Sequence, residues 1–316
     1  MLYIFIFIGS CALLFLAGKI LISSLNTIAR YLELREFVLA FIVIAIAASI
    51  PNLFVGITSA LHGIPELSFG DIVGGNLIDL TIAVALAALF ARGLPAESKM
   101  VQTSALFTMF IAVFPLLLIL DGNLGRGDGV VLILTFFIYI TWLFSKKERF
   151  TKVYNGNDVP PLKSFKVFFR DLIRLLFGIA LLLVAAEGIV RSASYLSQQL
   201  DLPLVLVGIL VVGIGNAIPE TYFAILAARK ARNWMILGDL MGSVIVASTL
   251  VLGIVALIHP IEIAHFTPFA IARFFLIISA MFFLFFVRTE RKITTREALC
   301  LFILYVVFVL VEIIAN

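Results

Sequence analysis

Residues 213–220 read GIGNAIPE, and residues 45–52, lying 168 positions earlier, read AIAASIPN. The same register continues without a gap into GDIVGGNLID at 70–79, which falls on GDLMGSVIVA at 238–247. Ile50-Pro51 thus matches Ile218-Pro219, Gly70-Asp71 matches Gly238-Asp239, Gly74 matches Gly242 and Thr81 matches Thr249. Apolar matches arise by chance in a hydrophobic chain. Proline, Gly-Asp and glycine in one register do not, so the chain is built from two copies of one unit.

The surroundings of these motifs are apolar throughout. Of 316 residues, 63% are hydrophobic and 13% are charged, with mean hydropathy +1.18, against about 25% charge and 45–50% apolar residues in ordinary soluble domains. A folded domain in water buries only about 75% of its unfolded surface even when large, so this composition excludes a soluble enzyme, a nucleic-acid reader and a disordered chain. About 20 apolar residues cross a bilayer as a helix. Ten such stretches fall near 2–25, 37–61, 70–92, 101–120, 128–145, 172–196, 203–228, 236–258, 266–288 and 296–315. The first is too long for a signal-peptide core and reads as a retained helix. The runs are continuous and not alternating, which excludes an outer-membrane barrel. The expected fold is therefore an all-α polytopic membrane protein.

The polar segment 146–166, KKERFTKVYNGNDVPPLKSFK, separates five spans from five. It divides the chain into a first repeat at 1–145, a cytoplasmic linker at 146–166 and a second repeat at 167–316. Because five is odd, the second copy enters the membrane upside down, and two inverted five-helix repeats are a transporter architecture with its site near the midplane. Lysine and arginine mark cytoplasmic connections. Arg30, Arg35, Arg92, Lys99, the linker lysines and arginine, Arg229, Lys230, Arg232, Arg288, Arg291, Lys292 and Arg296 all fall on one side. Both termini are then outside, in a multi-pass protein of a cell inner membrane. Nothing in the sequence bears on oligomeric state.

The candidate site follows from polar groups placed in the apolar spans. Pro51 and Pro219 each remove a backbone donor, so spans two and seven are expected to break or kink there and expose carbonyls, which survive at membrane depth only in a buried or cavity-lining position. Glu220 lies midway along span seven and Asp79 about ten residues into span three. An ionisable group at that depth costs at least ~2.5 kcal/mol, which marks it as functional. Carboxylates, amides and hydroxyls suit hard cations such as Ca²⁺ and Na⁺, or protons, and not soft metals. No His or Cys cluster accompanies them: Cys11 and Cys300 lie in apolar runs with no disulfide expected, and His62, His259 and His265 fall at span ends as interfacial residues. Asp71 and Asp239, each after a glycine at an expected span start, read as helix N-caps, with a place on the ion's entry path as the alternative. Lys19 and Glu187, in equivalent positions of spans one and six, are expected to pair.

These motifs resemble the sodium/calcium exchanger family of the wider cation/Ca²⁺ antiporter superfamily, whose prokaryotic members have ten helices in two inverted repeats. AASIPN and GNAIPE are similar to its G-T-S-[LI]-P-E stretch, and GDIVGGNLID and GDLMGSVIVA to its G-N-x-x-G-S-x-x-x-[ND] stretch. The resemblance implies coordinating side chains at Ala48, Ser49, Asn52, Gly75 and Asp79 and at Asn216, Ala217, Glu220, Ser243 and Ala247, with backbone carbonyls near Ala45 and Gly213. Asn52 stands for the first glutamate, Ala247 for the second-copy aspartate, and Ala48, Gly75 and Ala217 for hydroxyl ligands. Asp79 restores one charge. Asn76, next to Gly75, joins the set on its own chemistry.

The function implied is antiport of Ca²⁺, or a similar hard cation, against Na⁺ or H⁺ by alternating access. Glu220 and Asp79 supply charge, and Asn52, Asn76, Asn216, Ser49 and Ser243 supply neutral oxygens. With two carboxylates, several simultaneous Na⁺ ions are harder to hold than one Ca²⁺. The partners are the lipid bilayer and inorganic cations, which are transported substrates. No cofactor, nucleic acid or enzymatic activity is expected, since no nucleophile–base pair appears. A cation channel using the same site, or a degenerate family member serving as scaffold or sensor, is the alternative.

Overall fold

The computed structural model describes residues 2–31, 47–145, 165–229, 233–263 and 266–315. Most of the linker at 146–166, together with Ala45, Lys230, Arg232 and His265, lies outside them. The backbone is almost entirely helical, because a chain in hydrocarbon must satisfy every N–H and C=O internally. In order the helices are α1 (Leu2–Tyr31), α2 (Ala47–Leu61), α3 (Pro65–Phe90), α4 (Lys99–Leu118) and α5 (Arg126–Ser145). The second copy continues with α6 (Phe165–Leu200), α7 (Leu204–Arg229), α8 (Ile236–Ile258), α9 (Phe266–Thr289) and α10 (Thr295–Ala315). Among the described residues nine of these are long and apolar enough to span a membrane, and the described part of α2 is the shorter apolar helix. The fold is thus the ten-helix, twice-repeated one that the sequence implies.

Two expected boundaries move, with consequences for the site. α3 starts at Pro65, five residues before the expected 70. The reason is local: α2 ends in a turn in which Gly63 takes φ +72 and Ile64 N–H bonds back to Ser59 O at 3.0 Å. This is a glycine-terminated helix end, and Pro65 then occupies the first turn, where its missing donor costs nothing. α6 runs 36 residues, about 54 Å at 1.5 Å per residue, well beyond the hydrocarbon. Of the break or kink expected at Pro51 and Pro219, a break is not what forms. Both prolines lie inside continuous helix. The irregular backbone sits elsewhere, as wide π-type turns at Asp79–Ala83 in α3, Ala247–Val251 in α8 and Gly208–Val212 in α7. The first two are again 168 residues apart. Such turns insert a residue into the helix and cluster at functional sites.

The halves are locked to one another at both membrane faces. β1 (Leu94–Pro95) pairs antiparallel with β4 (Lys292–Ile293), and β2 (Asn123–Leu124) pairs with β3 (Ile261–Glu262). Each two-stranded ribbon joins a loop of one copy to a loop of the other, and the repeat offset carries one ribbon onto the other to within a residue.

Among the described residues the interior holds two large apolar clusters and a small one of Ile111, Tyr139, Leu143 and Ile245. One large cluster fills the space among α3, α4, α8, α9 and α10. The other is formed by Leu14 and Ala17 of α1, Val55 of α2, and Leu182, Ala185, Ala186, Ile189 and Ala193 of α6, with neighbours from α3 and α7. Lipid is as apolar as leucine, so helices associate in it through close contact of small residues, here the alanines of the α1–α6 seam. The opposite faces of the pair carry Phe5, Ile8, Leu16, Leu176, Phe177 and Val184, all exposed, as lipid-facing surfaces. α1 and α6 therefore form a closely packed pair, whose apolar cluster is shared with α2, α3 and α7.

Candidate cation site

α3 and α7 cross at very short range. A Cβ built at Gly70 would collide with Val205 O, one at Gly74 with Ile209 O, and one at Gly213 would lie 3.0 Å from Gly75 N. Only glycine permits this approach, and it brings the polar residues of the two helices face to face. Asn216 and Glu220 lie one turn apart on the same side of α7. Asp79 opens the wide turn of α3. Here the helix relaxes its winding, and the carboxyls of Asp79 and Glu220 come within hydrogen-bonding reach of each other. Asp79 is 2% and Glu220 8% exposed.

Between them is a small cavity. Among the described residues it is lined by Asn52, Gly75, Asn76, Asp79, Asn216, Ala217, Glu220, Ser243 and Ala247, with Ile72. It has room for one small ion or water. Ser243 Oγ–H of α8 donates to Glu220 Oε1 at 2.9 Å. Asn76 Nδ2–H donates to Ser248 Oγ at 2.7 Å. Asn216 Nδ2–H donates to both carboxylate oxygens of Asp71, each at 2.9 Å. Two oxygens of this cluster are buried without a partner among the described residues, Asp79 Oδ1 and Asn216 Oδ1.

Of the residues selected from sequence, Glu220, Asp79, Asn52, Asn76, Asn216 and Ser243 meet at this one cavity. Ser49 is buried but outside the lining, as is Gly213, which packs closely against Gly74 and Gly75 of α3. Ala45 lies outside the described residues.

Asp71 and Asp239 are not helix caps. The early start of α3 places Asp71 in mid-helix, 1% exposed, and Asp239 is likewise interior to its helix at 4%. Asp239 lies one turn before Ser243, with Asp79 and Glu220 as electrostatic neighbours, and Asp71 has Glu220 as one of its own. The site is thus surrounded by four acids, two more than the sequence reading used. Their signal was present in the repeated Gly-Asp at the common offset.

The expected Lys19–Glu187 pair is also replaced. Glu187 Oε2 bonds His62 Nε2 at 2.9 Å and Oε1 bonds Arg191 Nε at 2.5 Å, while Lys19 Nζ lies 4.3 Å from the Phe15 ring centre. Among the described residues no basic side chain forms an ion pair with any of the four buried acids, so their charge must be matched by cations or protons. No group of three or more His, Cys, Asp or Glu among them makes a metal cage. The neutral oxygens of amides and hydroxyls are therefore part of any coordination here.

The sequence profile of the sodium/calcium exchanger protein family matches residues 2–145 and again 171–314. The chain belongs to the sodium/calcium exchanger family. It is accordingly a multi-pass membrane transporter of a cation-exchanging family, not an enzyme. The inner membrane protein YrbG of Escherichia coli is 28% identical over 260 residues, covering 80% of this chain and 78% of that protein. The sodium/calcium exchanger MaX1 of Methanosarcina acetivorans is 24% identical over 325 residues, 92% of each. A solved structure of the sodium-calcium exchanger NCX_Mj, soaked with Na⁺ and Sr²⁺, superposes with TM-score 0.66 at 23% identity, covering 98% of this chain and 97% of the other. That last likeness establishes the shared fold.

Proposed function

We propose that the protein is a secondary antiporter carrying Ca²⁺, or a hard cation of similar size, in exchange for Na⁺ or H⁺. Glu220 and Asp79 supply the charge, and Asn52, Asn76, Asn216 and Ser243 supply neutral oxygens. One observation carries this reading: an acid from each inverted half faces a single buried space, with unpartnered oxygens on Asp79 and Asn216 and no basic side chain to neutralise them. Each bare buried oxygen costs ~1–3 kcal/mol, and a cation relieves that cost. Ca²⁺ takes six to eight oxygens at flexible angles, which suits two carboxylates completed by amides, a hydroxyl and water. MaX1 and NCX_Mj are sodium/calcium exchangers by name, which supports the same cargo here.

The coupling follows from charge burial. An empty site would carry bare carboxylates through an occluded state, whose desolvation costs several kcal/mol per ion. A bound cation offsets that charge, so loaded protein crosses the occluded state far more readily than empty protein. The close packing of α1 on α6 supports alternating access in which the pair slides as a unit over α2, α3, α7 and α8. The basic residues support both termini outside, and the inner-membrane assignment of YrbG supports a cell inner membrane.

The test is radioactive Ca²⁺ uptake into proteoliposomes with Na⁺ and pH gradients imposed separately. Antiport requires uptake driven by one of these gradients and none without a trans ion. Filling of the vesicles with no trans ion indicates a conducting pore, and overturns the proposal.

A further inference from the structure

We propose that Asp71 is a positioning residue of the cation site: its carboxylate grips the Asn216 amide by nitrogen and so turns the Asn216 carbonyl onto the ion. The inference rests on the antiporter reading and goes one layer further out. Asp71 is buried on α3, two turns before Asp79, and it takes Asn216 Nδ2–H on both of its oxygens at 2.9 Å. A carboxylate offers only acceptors, so the reverse orientation would set the amide oxygen against two oxygens and leave the amide N–H groups facing the ion. The amide has therefore one acceptable orientation. In it, Asn216 Oδ1 is buried with no protein partner among the described residues, on a side chain that lines the cavity beside Glu220 and Asp79.

The geometry is that of an outer acid fixing an inner ligand, the arrangement by which metal sites hold ligand orientation and basicity. It also spans the repeat interface. Asp71 belongs to the first copy and Asn216 to the second, so the grip ties the ligand on α7 to the helix that carries Asp79. By accepting from the amide nitrogen, Asp71 polarises the amide and makes its oxygen a better donor to a cation than that of a free asparagine. An acid placed directly in the cavity would add repulsion between carboxylates whenever the ion left. Set one layer out, with an amide between, it adds field without adding a charged ligand.

The experiment measures half-saturation for Ca²⁺ uptake, and the melting temperature without ion, in the full chain and in Asp71→Asn, Asn216→Ala and the double variant. Loss of an outer partner typically weakens metal affinity ~10–100-fold, so Asp71→Asn is expected to raise half-saturation by at least roughly tenfold with maximal rate retained. In the Asn216→Ala background it is expected to add nothing, because the group through which it acts is gone. Multiplying effects overturn the inference. So does a fall in melting temperature with half-saturation unmoved. Should Asp71→Asn not fold, the exchanged pair Asp71→Asn with Asn216→Asp is measured, since it keeps one N–H···O bond across the helices and an oxygen toward the ion. Half-saturation is then expected below the roughly tenfold loss of an outer-partner deletion, and a larger loss overturns the inference. Wild-type protein that takes up no Ca²⁺ under any gradient sinks the antiporter reading itself. Normal wild-type uptake with an indifferent Asp71→Asn sinks only this step.

Discussion

Replacing Glu220 by Gln removes one central charge and keeps the shape and the acceptor for the Ser243 hydroxyl, which donates to Oε1 at 2.9 Å. A unit charge about 4 Å from a divalent ion contributes ~8 kcal/mol at an effective dielectric near 20, twice the monovalent figure. Against this, a buried carboxylate carries a desolvation cost of several kcal/mol. The net loss of ~3–5 kcal/mol corresponds to roughly a hundredfold or larger rise in Kd for Ca²⁺. The ion-free protein responds with the opposite sign. Glu220 has Asp71, Asp79 and Asp239 as electrostatic neighbours, so its neutralisation relieves repulsion and raises the melting temperature in chelator. The assay is a Ca²⁺ titration of melting temperature in parallel with vesicle uptake. Glu312→Gln, at a buried acid on α10 away from the cavity lining, serves as control and leaves half-saturation unchanged. A Glu220→Gln protein that keeps its Ca²⁺-induced shift and its uptake near wild-type half-saturation refutes the argument.

Three further outcomes follow from neighbouring glycines and from the topology. Gly74→Ala drives a methyl into the Ile209 carbonyl, a backbone atom that cannot rotate away. Overpacking of this kind costs ~1–3 kcal/mol, read as a lower melting temperature together with lost uptake. Gly75→Ala meets nothing within 4 Å but places its methyl in the cavity lining, so melting temperature holds or rises while half-saturation for Ca²⁺ increases. Asp121→Cys in the α4–α5 turn and Glu290→Cys between α9 and α10, in a Cys11→Ser, Cys300→Ser background, report orientation. With the termini outside, an impermeant thiol reagent added to whole cells reaches the first and spares the second, and the reverse pattern inverts the assigned topology.

Much of the architecture was legible in one dimension because the membrane simplifies the problem. Span length follows from bilayer thickness, and lysine and arginine mark one side. A gapless offset with five spans per copy forces the second copy to be inverted. Glu220 and Asp79 were legible as site residues for the same reason. A carboxylate in an apolar span has no local use, so its presence alone marks it. Their convergence follows from inversion, which brings the middle of span three against the middle of span seven.

What tertiary structure alone decided depends on distances that spacing does not carry. The turn at Gly63 and Pro65 starts α3 early, and that shift moves Asp71 from a helix cap to the interior, against Asn216. Glycines at the α3–α7 crossing set how near the two helices come, Gly213 among them. The wide turn at Asp79, and not a break at Pro219, relaxes the backbone beside the cavity. Glu187 meets His62 and Arg191, not Lys19, because side chains pair with what the fold places within reach, whatever their register in the repeat. Sequence by itself determined which residues could not be explained by lipid. The crossing of α3 and α7 determined which of them share one ion-sized space, since a ligand set is defined by angstroms between helices and the chain records only residues along them.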